Sequence, residues 1–387
     1  MRILILGGDG YLGWPTAMHF SNKEHEVMVV DNGAKRQLEQ EVGGTPLWEV
    51  PTLQKRVRTW KEITGKTILI KFGSITNYGF LRDKVFEQFF PEIVIHYGEQ
   101  PSAPYSMLGA REAAYTQFNN VIGTLNVLHA MKKFTPDANL IKLGTMGEYG
   151  TPPIDIEEGY LDIWHNERLY PHSLYPKDPG SFYHLSKVHD SLNIKKACDW
   201  WGIHATDLNQ GVVYGIDTEE TMLHPDLRTS FHYDEIFGTV INRFCAQAVV
   251  GINLTVYGNG GQTRGFLDIR DTLQCVELAA LNPAKAGEFR VFNQFTEVFK
   301  IYELAKMVQV ACRKIGITVS IQYLENPRIE AGEHYYNPKN TSLISLGLKP
   351  HFLTVEKLIS MIEKVKKDKN LIDKNIIYPT VKWRMEK

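Results

Sequence analysis

The chain opens "RILILGGDGYLG", an apolar run of strand length that breaks into a glycine-rich turn and leads into a helix-compatible segment. That opening constrains the fold more than any other feature, because the same rhythm then repeats. "HEVMVVD", "TILIKFG", "EIVIHYG" and "ANLIKLGT" are short and almost continuously apolar, with helix-length amphipathic segments between them. Strands without polar alternation are buried on both faces, which is the signature of a parallel sheet covered by helices. The series predicts an α/β fold: a Rossmann-like, doubly wound parallel sheet. "IHATDLNQGVVYG" reads as a sixth strand ending in a loop. The sheet domain is expected over 1–215, with return segments from 265–295. Beyond it the rhythm weakens and loops lengthen, so 216–387 is expected to form a smaller, mixed α/β region that binds substrate.

Gly7, Gly10 and Gly13 lie between the first strand and the first helix. Glycines there allow a tight turn and let a pyrophosphate approach backbone amides at a helix N-terminus. The second strand ends in Asp31, about twenty residues on, where a carboxylate accepts hydrogen bonds from an adenosine ribose. That charge repels a ribose phosphate and argues for NAD over NADP. Lys35 and Arg36 follow closely, as receivers of such a phosphate, as part of a solvated loop, or as adenine-side contacts. On this pattern 1–215 is the NAD-binding domain.

The charges exclude other classes. Lys+Arg (43) and Asp+Glu (44) nearly cancel, so no field favours nucleic acid or an anionic membrane surface. No apolar run is long enough for membrane insertion. The four cysteines are scattered without metal-ligand spacing, so reduced core thiols and no metal are expected. Because the chain begins directly with a strand, a cytoplasmic protein, or one from which a presequence has been removed, is expected.

"SFYHLSKVHD" places Tyr183 and Lys187 four apart, hence one turn apart on one helix face. A cation beside a phenol favours the phenolate and makes tyrosine a usable base for a sugar hydroxyl. Thr145 ends the fifth strand, at the sheet edge where α/β ligands bind, either hydrogen-bonding the reacting hydroxyl or simply capping the strand.

These residues resemble the extended short-chain dehydrogenase/reductase superfamily, which acts on nucleotide sugars. Further stretches, among them "EQPSAPYSM", "KLGTMGEYGTPPIDIEEGY", "SFYHLSKVHDS", "GNGGQTRGFLDIRDT" and "EHYYNPK", resemble the UDP-sulfoquinovose synthases over nearly the whole chain. Pro101 is one departure, standing where arginine is expected in plant-like members. The resemblance implies UDP-glucose and sulfite as substrates, tightly held NAD, and UDP-6-sulfoquinovose as product. It also implies oxidation at carbon 4, loss of the carbon 5 proton with the carbon 6 hydroxyl, sulfite addition at carbon 6 and re-reduction. A homodimer or higher homo-oligomer built on a helical bundle is expected, with sulfite arriving free or from a donating protein partner.

Residue by residue, the resemblance places cofactor contacts at Tyr11, Leu12 and Asn32, with Arg36, Ser74 and Ile75 beside them. Gly98, Asn119, Gln210 and Val213, together with Tyr183 and Lys187, complete the cofactor set. Gln100 and Tyr105 are expected to face the sugar with Thr145. Gln262, Arg264 and Arg328 are expected at the nucleotide diphosphate, where a guanidinium offers paired donors and a permanent charge.

In related dehydratases Thr145 would be followed by two carboxylates that act as acid and base. Here Met146 and Gly147 occupy those positions, so a carboxylate that would repel sulfite is gone and the glycine opens space. His184, Glu148 and Glu99 are the titratable candidates for the elimination, His184 being as readily a packed or surface residue. Two other functions fit the same core: a UDP-sugar 4-epimerase, which needs no such carboxylates, and a non-catalytic NAD-binding regulator.

Overall fold

The structure, a computed structural model, describes residues 1–383. Seven parallel strands form its main sheet: β1 (Arg2–Leu6), β2 (Glu26–Asp31), β3 (Ile68–Phe72), β4 (Ile93–His96), β5 (Asn139–Thr145), β6 (His204–Gln210) and β7 (Phe289–Gln294). Their order is β7-β6-β5-β4-β1-β2-β3. The chain reverses direction across the sheet between β1 and β4, so the crevice at their C-terminal ends is where a doubly wound fold binds its ligand.

Alternation along β1 shows why the strands are apolar throughout. Ile3 and Ile5 pack with Trp14 and Met18 on one face, while Leu4 and Leu6 pack with Val127, Met131 and Ile194 on the other. Burying both faces in this way contributes about 25 cal/mol for each Å² of apolar surface removed from water. The segment read as one sixth strand is divided in two. After β6, Val212–Tyr214 leaves the main sheet and pairs in parallel with Thr263–Asp268, which is also antiparallel to Glu297–Lys300. The last strand of the main sheet, β7, comes from within 265–295.

A separate core lies beyond β6, where Tyr214, Phe231 and Tyr233 pack with the helices Val240–Val249, Ile301–Lys314 and Val355–Lys367. Leu47 and Trp48 join it from the N-terminal half, and Trp48 donates through Nε1 to Asp368 at 2.7 Å. The sequence reading passed over a hairpin, Tyr160–His165 with Arg168–Leu174. Its two-residue turn has positive φ at both Asn166 (47°) and Glu167 (60°). That is the turn geometry whose twist matches a hairpin, adopted here without the glycine that would have signalled it. Among the described residues, no helix is long and apolar enough to cross a membrane.

Candidate active site

A cavity of about 780 Å³ runs along the C-terminal ends of β1, β2, β4 and β5. Gly7, Gly10, Tyr11, Leu12 and Gly13 line it, as do Asp31, Asn32, Arg36, Ile75, Gly98, Asn119, Gln210 and Val213. The glycines are there for want of space. A Cβ on Gly7 would stand 2.7 Å from the backbone nitrogen of Gly98, and one on Gly13 would press into the carbonyl of Gly7, 2.9 Å from its carbon. This cradle, with its bare backbone at a helix N-terminus, fits the pyrophosphate of a dinucleotide.

Asp31 closes the loop by accepting from the amides of Gly33 (2.7 Å) and Asp9 (2.9 Å), and burial next to Asp9 raises its pKa. The two cations that follow it in the sequence are committed elsewhere. Lys35 pairs with Glu39, and Arg36 grips Asp9 and the carbonyls of Val50 (2.7 Å) and Pro51 (2.8 Å). Arg56, fully buried, holds Asp9 from the other side. A ribose phosphate would therefore meet Asp31 and, among the described residues, cations already paired with carboxylates, which favours NAD. Ser74 stands apart from the cavity wall, between Gly73 and Ile75, with its hydroxyl on Thr76 (2.7 Å).

Thr145, Tyr183 and His184 line the same cavity. The helix Phe182–Trp201 begins at Ser181, whose Oγ accepts from the amide of His184 (3.2 Å), and this cap sets Tyr183 and Lys187 on the inward face. The Lys187 ammonium lies 5.8 Å from the Tyr183 ring centroid and donates to the carbonyl of Leu143 (2.6 Å). Burial raises the Tyr183 pKa, and Lys187 acts against that rise. Thr145 is both a cap and a site residue: its Oγ1 accepts from the amide of Gly147 (3.1 Å), leaving its proton to donate into the cavity.

Gly147 explains the position of His184. A Cβ on Gly147 would lie 2.9 Å from His184 Cε1 and nearer still to Nε2 and Cδ2, so the imidazole occupies the volume a side chain at 147 would take. The ring is held at Nδ1 by Ser181 Oγ (3.0 Å). Burial, together with Arg328 and Arg264, lowers its pKa to about 3, so at neutral pH it is an uncharged base.

Three expected residues have their side-chain polar groups or packing engaged elsewhere in the fold. Glu148 is completely buried behind β5, bound to Lys142 (3.2 Å), Lys177 and Ser191 (3.0 Å). Burial opposes its ionisation, but Lys142 and Lys177 prevail and hold the carboxyl well below its usual range, unsuited to acid–base work near neutral pH. Gln100 lines the cavity wall, yet its amide is spent on Ser102 (3.0 Å) and Thr116 (2.8 Å), as a brace for the loop. Tyr105 packs with Leu38, Ile236 and Val381. Met146 is buried with Tyr149, Ile156, Tyr175 and Phe295.

The second polar centre lies in the C-terminal region. Arg264 donates to His334 Nδ1 (2.8 Å) and pairs with Glu330, while Arg328 lies over the Trp383 ring at 5.3 Å. Sequence reasoning missed Arg243, which is 8% exposed and sits over Tyr257 at 4.6 Å. Arg264 and Arg243 both lower the pKa of Arg328, after burial, so the three guanidinium groups share one neighbourhood. Among the described residues, Arg243 Nε, Tyr257 Oη and Gln262 Oε1 are buried there without hydrogen-bond partners, as expected of a cradle for a phosphorylated ligand. The available signal was a lone arginine inside the apolar helix "VINRFCAQAVV".

Residues 3–293 match the model of the NAD dependent epimerase/dehydratase family. The chain is 55% identical to the chloroplastic UDP-sulfoquinovose synthase of Spinacia oleracea over 99% of its own length and 79% of that protein's. It is 43% identical to the UDP-sulfoquinovose synthase of Sulfolobus acidocaldarius, over 99% and 98% of the two chains. In fold it is similar to UDP-glucose 4-epimerase from Bifidobacterium longum, solved with NAD+ and UDP, with a TM-score of 0.71 at 18% identity over 96% of this chain and all of that one. The glycine cradle, the Tyr183–Lys187 pair and these likenesses agree: the chain belongs to the NAD dependent epimerase/dehydratase family and, within it, to the UDP-sulfoquinovose synthases.

Proposed function

We propose that this chain joins sulfite to UDP-glucose to give UDP-6-sulfoquinovose, using residues 1–215 and the returning strand β7 for NAD and 216–387 for the nucleotide sugar. Bound NAD supplies a reversible hydride acceptor for carbon 4 of the glucose. Tyr183, with Lys187 beside it, takes the carbon 4 hydroxyl proton and later returns it, and Thr145 donates to that same oxygen. Once carbon 4 is a ketone, the carbon 5 proton is acidic, and His184 removes it and passes it to the carbon 6 hydroxyl, which leaves as water. Sulfite, arriving as hydrogen sulfite, then adds through sulfur at carbon 6 of the conjugated alkene, and the proton it carried reaches carbon 5 through His184. Arg243, Arg264 and Arg328 hold the diphosphate.

The observation that carries this reading over simple 4-epimerisation is the imidazole of His184 lodged over Gly147. An epimerase has no use for a base at carbon 5. The test is incubation of purified protein with UDP-glucose, with and without sulfite, followed by mass analysis of the nucleotide sugars. A sulfite-dependent UDP-hexose sulfonate is expected. UDP-galactose in both samples would establish the epimerase instead, and no turnover would leave a non-catalytic NAD-binding regulator.

The assembly we propose is a homodimer formed by the helical segments 110–134 and 182–201, which expose Phe118 (57%) and Leu192 (44%). A sulfite-donating protein partner remains part of the proposal, tested by whether free sulfite suffices.

A further inference from the structure

Glu99 follows β4 by three residues and reaches under the helix that carries Tyr183. Its side chain is 2% exposed, and its Oε2 stands 2.6 Å from the Lys187 ammonium, itself 3% exposed. Lys187 spends a second proton on the carbonyl of Leu143, so one is left for the cavity side, where Tyr183 lies. The other oxygen, Oε1, is 3.9 Å from His96 Nε2, which meets Thr124 Oγ1 at 3.0 Å. Among the described residues, neither oxygen of Glu99 has a hydrogen-bond partner beyond that ion pair. A buried ion pair is weak as a device for stability, because desolvation consumes most of its attraction. This one touches the catalytic base's own cation.

We propose that Glu99 is a positioning residue: its carboxylate is the counter-ion that fixes the ammonium of Lys187, and keeps it charged, beside Tyr183. The proposal rests on the reading of Tyr183 and Lys187 as base and cation. Burial works against the charge on Lys187, and Glu99 is the first charge opposing that. The other groups facing the pair do not replace it. Lys142 on β5 repels the ammonium, and Glu148 is held by Lys142 and Lys177. Asp190, further along the helix, has its pKa raised by burial and by Glu99, which works against its charge. Buried His96 has its pKa lowered to about 4 and carries no charge near neutrality.

The test is the pH dependence of sulfonate formation by Glu99→Gln, which keeps the shape and removes the charge. Without the carboxylate the phenol of Tyr183 ionises more readily, so the acid limb moves to lower pH. Lys187 also loses its proton more readily, so the alkaline limb moves the same way. Both limbs are expected to shift by about one pH unit, the size of a single close charge effect, with KM for UDP-glucose within about twofold and partial return in Glu99→Asp. A lower kcat with an unmoved bell would overturn the proposal by making Glu99 a packing residue. Absence of product with the parent enzyme would instead sink the underlying reading. Thermal unfolding gives a readout independent of activity. Glu99→Gln is expected to destabilise strongly in the parent and hardly at all in Lys187→Met, and equal losses in the two backgrounds, or failure of both to fold, would overturn the pair.

Discussion

The substitution Gly147→Ala tests the site with one methyl group. The φ of Gly147 is outside the left-handed region, so alanine brings no backbone strain, and the amide that donates to Thr145 is kept. The added Cβ would stand 2.9 Å from His184 Cε1 and closer to two other ring atoms, whereas relaxed contacts lie at ~3.5–4.0 Å. The imidazole must retreat by about 1 Å, against the Ser181 bond that holds Nδ1. A displacement of that size costs on the order of 10²-fold in rate, or about 2.7 kcal/mol of barrier. The assay is exchange of the carbon 5 hydrogen of UDP-glucose in deuterated water, read beside sulfonate formation and beside appearance of reduced cofactor. Exchange and sulfonate are expected to fall together by about 10²-fold, as in His184→Gln. Carbon 4 oxidation, which the proposed mechanism assigns to Thr145, Tyr183 and Lys187, is expected to stay within a few fold, on the order expected when the step's own residues are untouched. Exchange within about threefold of the parent would refute the idea that Gly147 is small in order to seat His184.

Arg243→Ala is expected to raise KM for UDP-glucose by about 10–100-fold with little change in kcat, since a charge-assisted bond to the diphosphate of ~1.5–3 kcal/mol serves ground and transition states alike; steady-state kinetics reads this. Glu148→Gln leaves Lys142 and Lys177 underpaired in the interior and is expected to lower stability by ~3–5 kcal/mol in urea titrations. In the parent the Glu148 pKa is depressed from 4.5 to about 2, so its contribution is complete above 4.5 and disappears as pH falls toward 2; the variant should lose that part of the acid slope. Leu192→Glu is expected to convert the proposed homodimer to a monomer in sedimentation, by placing an unpaired charge in an apolar contact.

The parts of the fold that depend on local pattern were legible in the sequence. Continuous apolar runs announced five strands of the parallel sheet, and the glycine triplet with Asp31 announced the cradle, because each rests on backbone geometry within a few residues. What failed depends on side-chain direction set by distant packing. Tyr105 looked like a sugar contact from its place after β4, but the short helix Ala103–Ser106 turns it toward Ile236 and Val381, over a hundred residues away in the chain. Glu148 sits three residues beyond Thr145, yet the 3-10 turn of 146–148 carries it behind the sheet to Lys142 and Lys177. Gly147 is the most instructive case. From the sequence it reads as vacated space, and only the fold brings the helix beginning at Ser181 close enough to fill that space with His184. Deleting a carboxylate and recruiting an imidazole from a neighbouring helix is therefore one structural event seen at two sequence positions. On the proposed mechanism it replaces a charged base with a neutral one where an anionic nucleophile must arrive, and that difference in charge is on the order of 4 kcal/mol at ~4 Å and an intermediate dielectric, reason enough for the exchange.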